Sequence, residues 1–132
     1  MPEAHDSVPA FVEAIARSAV DAALAVHRAL GPGLLESTYE TCLAHELETR
    51  GHSIARQVGL PVVYDTVKLE IGYRVDLLID DAVIIEVKAV ETVTPLHEAQ
   101  LLTYLRLSNR RLGLLINFHV PLLKNGIKRM VL

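Results

Sequence analysis

Asp76, Glu86 and Lys88 are the residues of this 132-residue chain whose types and spacing promise chemistry. Glu86 and Lys88 interrupt AVIIEVKAV (82–90), a run otherwise of Val, Ile and Ala. Such a run reads as a strand covered on both faces, where an unpaired charge is costly. Side chains alternate along a strand, so Glu86 and Lys88 share one face while Ile85 and Val87 share the other. The turn before this strand decides whether Asp76 joins them. A two-residue loop at Asp80 and Asp81 sets Asp76 opposite Ile85 and aims Asp76 and Glu86 through opposite faces. A loop of odd length centred on Asp81, or one bulge, sets Asp76 opposite Glu86, and this is the expected register.

Two carboxylates held side by side repel, so they imply a shared proton or a cation between them, and hard oxygen ligands favour Mg²⁺ or Mn²⁺. A lysine beside them can orient or help deprotonate a water, or offset charge developing on a phosphate. The pattern is short, and a structural Glu86–Lys88 pair or a strand with one solvated face also satisfies it. Two helical stretches add weight. Gln100 and Tyr104 are four apart and His97 is three before Gln100, so these polar groups share a face while Ala99, Leu102 and Leu105 are expected in the core. Glu36 and Tyr39, three apart just after Gly33, are expected to project in one direction. Singly, Glu36 suits a helix N-terminus and Tyr39 a core position with its hydroxyl at the rim.

Those residues need elements to position them. Phe11, Ile15, Ala19, Ala22, Val26 and Leu30 recur at helical spacing and predict a helix over Val8–Leu30, stopped by Gly31, Pro32 and Gly33. Leu35, Tyr39, Cys42, Leu43 and Leu47 predict a second over Leu34–Arg50, ended by Gly51. Strands are expected at Ile54–Tyr64, Lys68–Ile79 and Val83–Val90. Thr94 and Pro95 open a third helix reaching Ser108. Leu112–Phe118 and Ile127–Leu132 complete the strands, with Lys124, Asn125 and Gly126 as hairpin turn chemistry. The order ααβββαββ predicts an α/β fold, a mixed β-sheet flanked by α-helices.

Composition bounds the rest. At 51% hydrophobic and 22% charged, residues 1–132 are expected to form a single domain, with 1–7 flexible. The one cysteine, Cys42, excludes an intramolecular disulfide and a Cys-based zinc cluster. Neither a signal peptide nor a membrane-length apolar run is seen, so a soluble cytoplasmic protein with no membrane partner is expected. Net charge is −3, but Leu101–Leu132 holds six bases and no acid, leaving seven bases and sixteen acids before it. That tail suits a polyanion, or equally a solvated surface balancing an acidic remainder.

GPGLLESTYE (31–40) carries GxxExxY as Gly33, Glu36 and Tyr39, and over most of its length the chain resembles the GxxExxY proteins, a branch of the PD-(D/E)xK nuclease superfamily. LGLLINF and NGIKRMVL are similar to that family's last strands. The resemblance implies a restriction-endonuclease-like core, with Asp76 and Glu86 binding Mg²⁺ or Mn²⁺ and the Val87 carbonyl a further ligand. It makes Lys88 the catalytic lysine and Glu36 the helix carboxylate that joins the metal shell directly or through water. Gln100 and Tyr104 match the QxxxY element of RecB-like nucleases. Val75 stands where the superfamily's name has proline, a position that makes no contact with metal. The expected function is Mg-dependent hydrolysis of the nucleic-acid backbone, DNA being the expected substrate, with Arg106, Arg110 and Arg111 approaching the backbone beyond the metal. His97 could assist at the rim; like His5, His27, His45, His52 and His119 it is otherwise expected at the surface. A homodimer would supply the second active site needed to cut both strands. The rival reading is a nucleic-acid-binding or protein-interaction module that keeps the nuclease fold without cleaving.

Overall fold

Alanine sets how closely the first helix, α1 (Ala10–Leu30), approaches its neighbours: Ala16, Ala19, Ala22 and Ala23 are buried along one face with Val12, Ile15 and Val26. Phe11 and Leu30, expected on this stripe, are exposed; in the first turn the buried position belongs to Val12 beside Phe11. The computed structural model describes residues 7–132; the flexibility expected of residues 1–7, apart from Ser7, and the surface position expected of His5 fall outside that range. Gly31 and Gly33, with φ of 69° and 105°, turn the chain into α2 (Glu36–Thr49), and Gly51, at φ 93°, turns it out again. Tyr39, Leu43 and Leu47 of α2 are fully buried, whereas Leu35 lies outside the helix and is exposed.

The strands are β1 (Ile54–Tyr64), β2 (Val67–Ile79), β3 (Val83–Lys88), β4 (Leu112–Asn117) and β5 (Ile127–Val131), with α3 (Pro95–Ser108) between β3 and β4. They form one five-stranded sheet in sequential order. The β3–β4 pair is parallel and the others antiparallel, so the sheet is mixed and α3 makes the crossover. The expected α/β class and element order hold. One face packs under α1 and α2 through Leu77, Ile79, Val83, Ile85, Val87, Leu112 and Ile116. The other packs under α3 through Val75, Ile84, Leu101, Tyr104, Leu105 and Leu115. Gly113 lets α3 sit directly on β4: a Cβ there would lie 2.9 Å from the Leu101 Cδ1 atom.

Thr94 caps α3, accepting from His97 N, while His97 Nδ1 accepts from Thr94 N at 3.1 Å, a reciprocal capping box. The buried face of α3 is turned from the expected one. Leu101, Tyr104 and Leu105 are buried, Leu102 is half-buried and Ala99 is exposed, because Tyr104 uses its ring as core. The β4–β5 connection is longer than a tight hairpin: Leu123 is buried in the core, and a 3-10 turn at Leu123–Gly126 feeds β5. No described helix is long and apolar enough to cross a membrane.

Candidate active site

The candidate site lies where β2 and β3 part. Their ladder runs Ile79↔Val83, Leu78↔Ile84 and Leu77↔Ile85, around a three-residue loop Asp80–Ala82 centred on Asp81. Asp80 and Asp81 take left-handed φ values of 50° and 57°, with Ala82 N donating to Ile79 O at 2.9 Å. Aspartate tolerates that conformation better than most residues. This is the odd register, and it sets Asp76 across from Glu86. Beyond Leu77 the carboxylates replace the ladder: Asp76 N donates to Glu86 Oε2 and Val87 N donates to Asp76 Oδ2, both at 2.8 Å. Each side chain therefore satisfies the backbone of the opposite strand, which orients both acids without a further residue.

A second irregularity places Asp76. Leu77 and Ile79 face α1 and α2, yet Val75 faces α3; on β1, Ile54 packs with the first layer while Val58 and Leu60 pack with the second. A regular strand keeps residues two apart on one face. The β1–β2 ribbon thus rolls over between the pairs Arg56↔Leu77 and Val58↔Val75, at Gln57 and Asp76, where Gln57 adopts φ 52°. Asp76 sits at the roll-over, within reach of groups from both layers.

Electrostatics follow from this position. Glu86 is 5% exposed, and burial first, then the Asp76 charge, push its pKa up to about 8; the bond from Asp76 N and the Lys88 charge oppose the shift. Asp76 is raised too, by burial above all and by repulsion from Glu40, against the bonds from Val87 N and Gln57 and the Lys88 charge. Burial, then the charges of Glu86 and Asp76, also raise the Tyr104 hydroxyl. Near neutral pH the pair holds a proton. A dication would relieve the same repulsion, so this hard-oxygen donor set fits Mg²⁺ or Mn²⁺. Among the described residues no group of three or more His, Cys, Asp or Glu is arranged to hold a metal ion, so Asp76 and Glu86 stand as a pair.

Glu36 does not join that pair. It is exposed in the first turn of α2, its Oε2 accepting from Ala89 N at 3.1 Å just past Lys88. Tyr39 does not share its direction: fully buried, it stacks on Phe118 at 4.5 Å, donates to Gly31 O and accepts from Leu34 N. It pins the loop before α2. The α2 acid that both carboxylates feel is Glu40, 7% exposed and one turn after Glu36. Arg56 Nη2 lies 3.1 Å from Glu40 Oε2, and the Gln57 amide bridges the acids, donating to Glu40 Oε1 at 2.9 Å and Asp76 Oδ1 at 3.3 Å. Sequence reasoning missed Glu40 and Gln57. The spacing of four from Glu36 to Glu40 was the available signal for the first; nothing in the sequence marks the second.

On the α3 side, Lys88, Gln100 and Tyr104 line one cavity of about 510 Å³ with Tyr73, Leu96 and His97. The charges of Asp76 and Glu86 act on Tyr104, and that of Lys88 acts on both acids, so the structure brings the pair next to the cavity of Lys88, Gln100 and Tyr104. Arg106 borders the cavity through Thr103, whose hydroxyl it bonds at 3.1 Å. Arg110 and Arg111 lie elsewhere. They precede Leu112, which pairs with Val83, whereas Lys88 pairs with Asn117, so parallel pairing puts them about 20 Å along the strands from Lys88. Arg110 pairs with Asp81, and Arg111 donates to the carbonyls of Leu132 and Ser7. His27 and His52 also depart from expectation. His27 is buried with Nε2 2.8 Å from Val120 O, and His52 joins Ser18 to Asp80 at 2.7 and 2.6 Å.

The model of the PD-(D/E)XK nuclease superfamily matches residues 13–130. The chain belongs to that superfamily. In this PD-(D/E)XK chain the proline position is Val75, 1% exposed against the α3 layer, where an apolar side chain suffices. Searches of curated proteins and of solved structures returned no match.

Proposed function

We propose that this PD-(D/E)XK chain is a metal-dependent nuclease, a phosphodiesterase with DNA as its expected substrate. One observation carries the reading: Asp76 and Glu86 are locked face to face by reciprocal backbone bonds, with the Lys88 charge opposing the rise that burial imposes on both. Asp76, Glu86 and the Val87 carbonyl would hold Mg²⁺ or Mn²⁺, which supplies positive charge against the scissile phosphate and acidifies water. Glu36 stands apart from the pair, tied to Ala89 N just past Lys88, and Glu40 adds negative charge near Asp76.

Lys88 orients the attacking water or takes part in its deprotonation, since its side chain lines the cavity with Gln100 and Tyr104. Gln100 donates or accepts at the phosphate or the water. Tyr104 keeps its proton, because burial and the two acids raise its pKa, and so serves as a hydrogen-bond donor. Arg106 is the base placed to meet the strand next to the cavity. A membership narrower than the superfamily, among the GxxExxY proteins, rests on Gly33, Glu36 and Tyr39, of which Tyr39 is structural.

The test is a matched cleavage assay on single- and double-stranded DNA and RNA with Mg²⁺ or Mn²⁺. Wild type should cleave, while Asp76→Ala and Lys88→Ala each lose about 10²-fold or more. Salt-dependent binding without cleavage by wild type would leave a non-cleaving binding module instead.

A further inference from the structure

We infer that the cavity beside Lys88 takes an unpaired nucleotide, its base stacked on Tyr73, so that the substrate class is single-stranded nucleic acid or a frayed strand end. The inference rests on the nuclease reading and names its substrate. Tyr73 lies on the outward half of β2, 52% exposed, with its ring centroid 6.1 Å from that of Tyr104. Leu96 stands at the opening of α3, 76% exposed, and both line the cavity that holds Lys88 and Gln100. An exposed aromatic and an exposed leucine flanking a catalytic amine form an apolar slot next to the phosphate position. At about 510 Å³ the slot has the size of a small-ligand pocket.

Only an unpaired base can use it. In a duplex the base faces are covered by stacking and only the edges are offered in the grooves, whereas a single strand offers a whole π-face. Charge points the same way. Duplex binders gain affinity by neutralising many phosphates with Lys and Arg. Here Lys88 lines the cavity and Arg106 alone borders it, Arg110 and Arg111 sit at the other end of β4, and the ribbon beyond Asp76 balances Lys68 and Arg74 against Asp65 and Glu70. Stacking, not phosphate neutralisation, must supply the affinity.

The experiment uses the full chain in EDTA, so that binding is read without hydrolysis. The probe is a short single-stranded oligodeoxynucleotide containing 2-aminopurine, compared with the same strand annealed to its complement. Wild type should bind the single strand with quenched fluorescence, at least ten-fold tighter than the duplex, and with a shallow salt slope of about −1. Tyr73→Ala should weaken binding about ten-fold and abolish the quench, while Tyr73→Phe keeps both. Equal affinity for duplex, no single-strand binding, or unchanged binding by Tyr73→Ala overturns the inference. A wild type that stacks the probe but never cleaves removes the nuclease reading alone. Duplex cleavage indifferent to Tyr73→Ala removes this inference alone.

Discussion

Replacing Glu86 by glutamine isolates the cost of keeping a carboxylate at the parting of β2 and β3. The buried acid is raised from 4.5 to about 8. At about 1.4 kcal/mol per tenfold change in acidity, ionising it in place costs ~5 kcal/mol; water entry on relaxation makes this a ceiling. The sign follows from proton counting. Between pH 4.5 and about 8 the folded chain holds a proton that the unfolded chain has released. Stability without metal therefore falls as pH rises through that window and levels off above it. The amide introduced by Glu86→Gln keeps the shape and the acceptor for Asp76 N but cannot ionise. Urea unfolding in EDTA at pH 5 and pH 8.5 should show wild type losing several kcal/mol more than Glu86→Gln. Adding Mg²⁺ at pH 8.5 should restore wild type and leave the variant nearly unmoved. Equal pH dependence in the two proteins, or wild-type stability that rises across the window relative to Glu86→Gln, would refute the reasoning.

Gln57→Gly relieves the left-handed φ of 52° but removes the amide from Glu40 and Asp76, so it should show a smaller Mg²⁺-induced rise in Tm than wild type, and Gln57→Ala, which keeps the strain and loses the same bonds, should be about 1 kcal/mol less stable than Gln57→Gly. Asn117→Ala should cost about 1–3 kcal/mol in urea unfolding, since the buried amide binds both the N–H and the carbonyl of Val90 and holds the chain leaving Lys88. Asp80→Asn should lower stability near neutral pH and flatten the acid limb of a Tm-versus-pH curve. Burial raises the Asp80 pKa, but bonds from His52 and Ser53 N outweigh it and hold the carboxyl low, so its stabilisation is lost on acidification through that lowered value.

The parts of the site set by local rules were legible in the sequence. Alternation put Glu86 and Lys88 on one face, and the need to pair Asp76 with Glu86 selected the odd loop that β2 and β3 adopt. Thr94 and Pro95 marked the start of α3 because capping is a local matter. What failed depended on tertiary placement. Arg110 and Arg111 follow Tyr104 closely in sequence, but α3 returns the chain to the start of β4, so parallel pairing carries them away from Lys88. Glu40 is an ordinary helical glutamate until Arg56 and Gln57 close over it. Gln57 has no signature, since a left-handed glutamine in a strand is imposed by the roll-over around it.

That roll-over also explains why the acids stand at this point of the sheet. A continuous β2–β3 ladder would spend Asp76 N and Val87 N on backbone carbonyls and leave both carboxylates unoriented. Parting the strands after Leu77 hands those two N–H groups to Glu86 Oε2 and Asp76 Oδ2. One oxygen of each acid is thereby tied to the backbone, and its partner is left for other ligands, with Gln57 engaging Asp76 Oδ1. The backbone fixes direction while the sequence supplies charge. The arrangement carries a left-handed Gln57, a buried glutamate and a third acid nearby, each unfavourable to the empty fold. Such local costs persist where a site requires them. A positive ion between Asp76 and Glu86 turns two of these three terms favourable at once, which is why divalent-metal stabilisation should be larger here than at a surface pair of carboxylates.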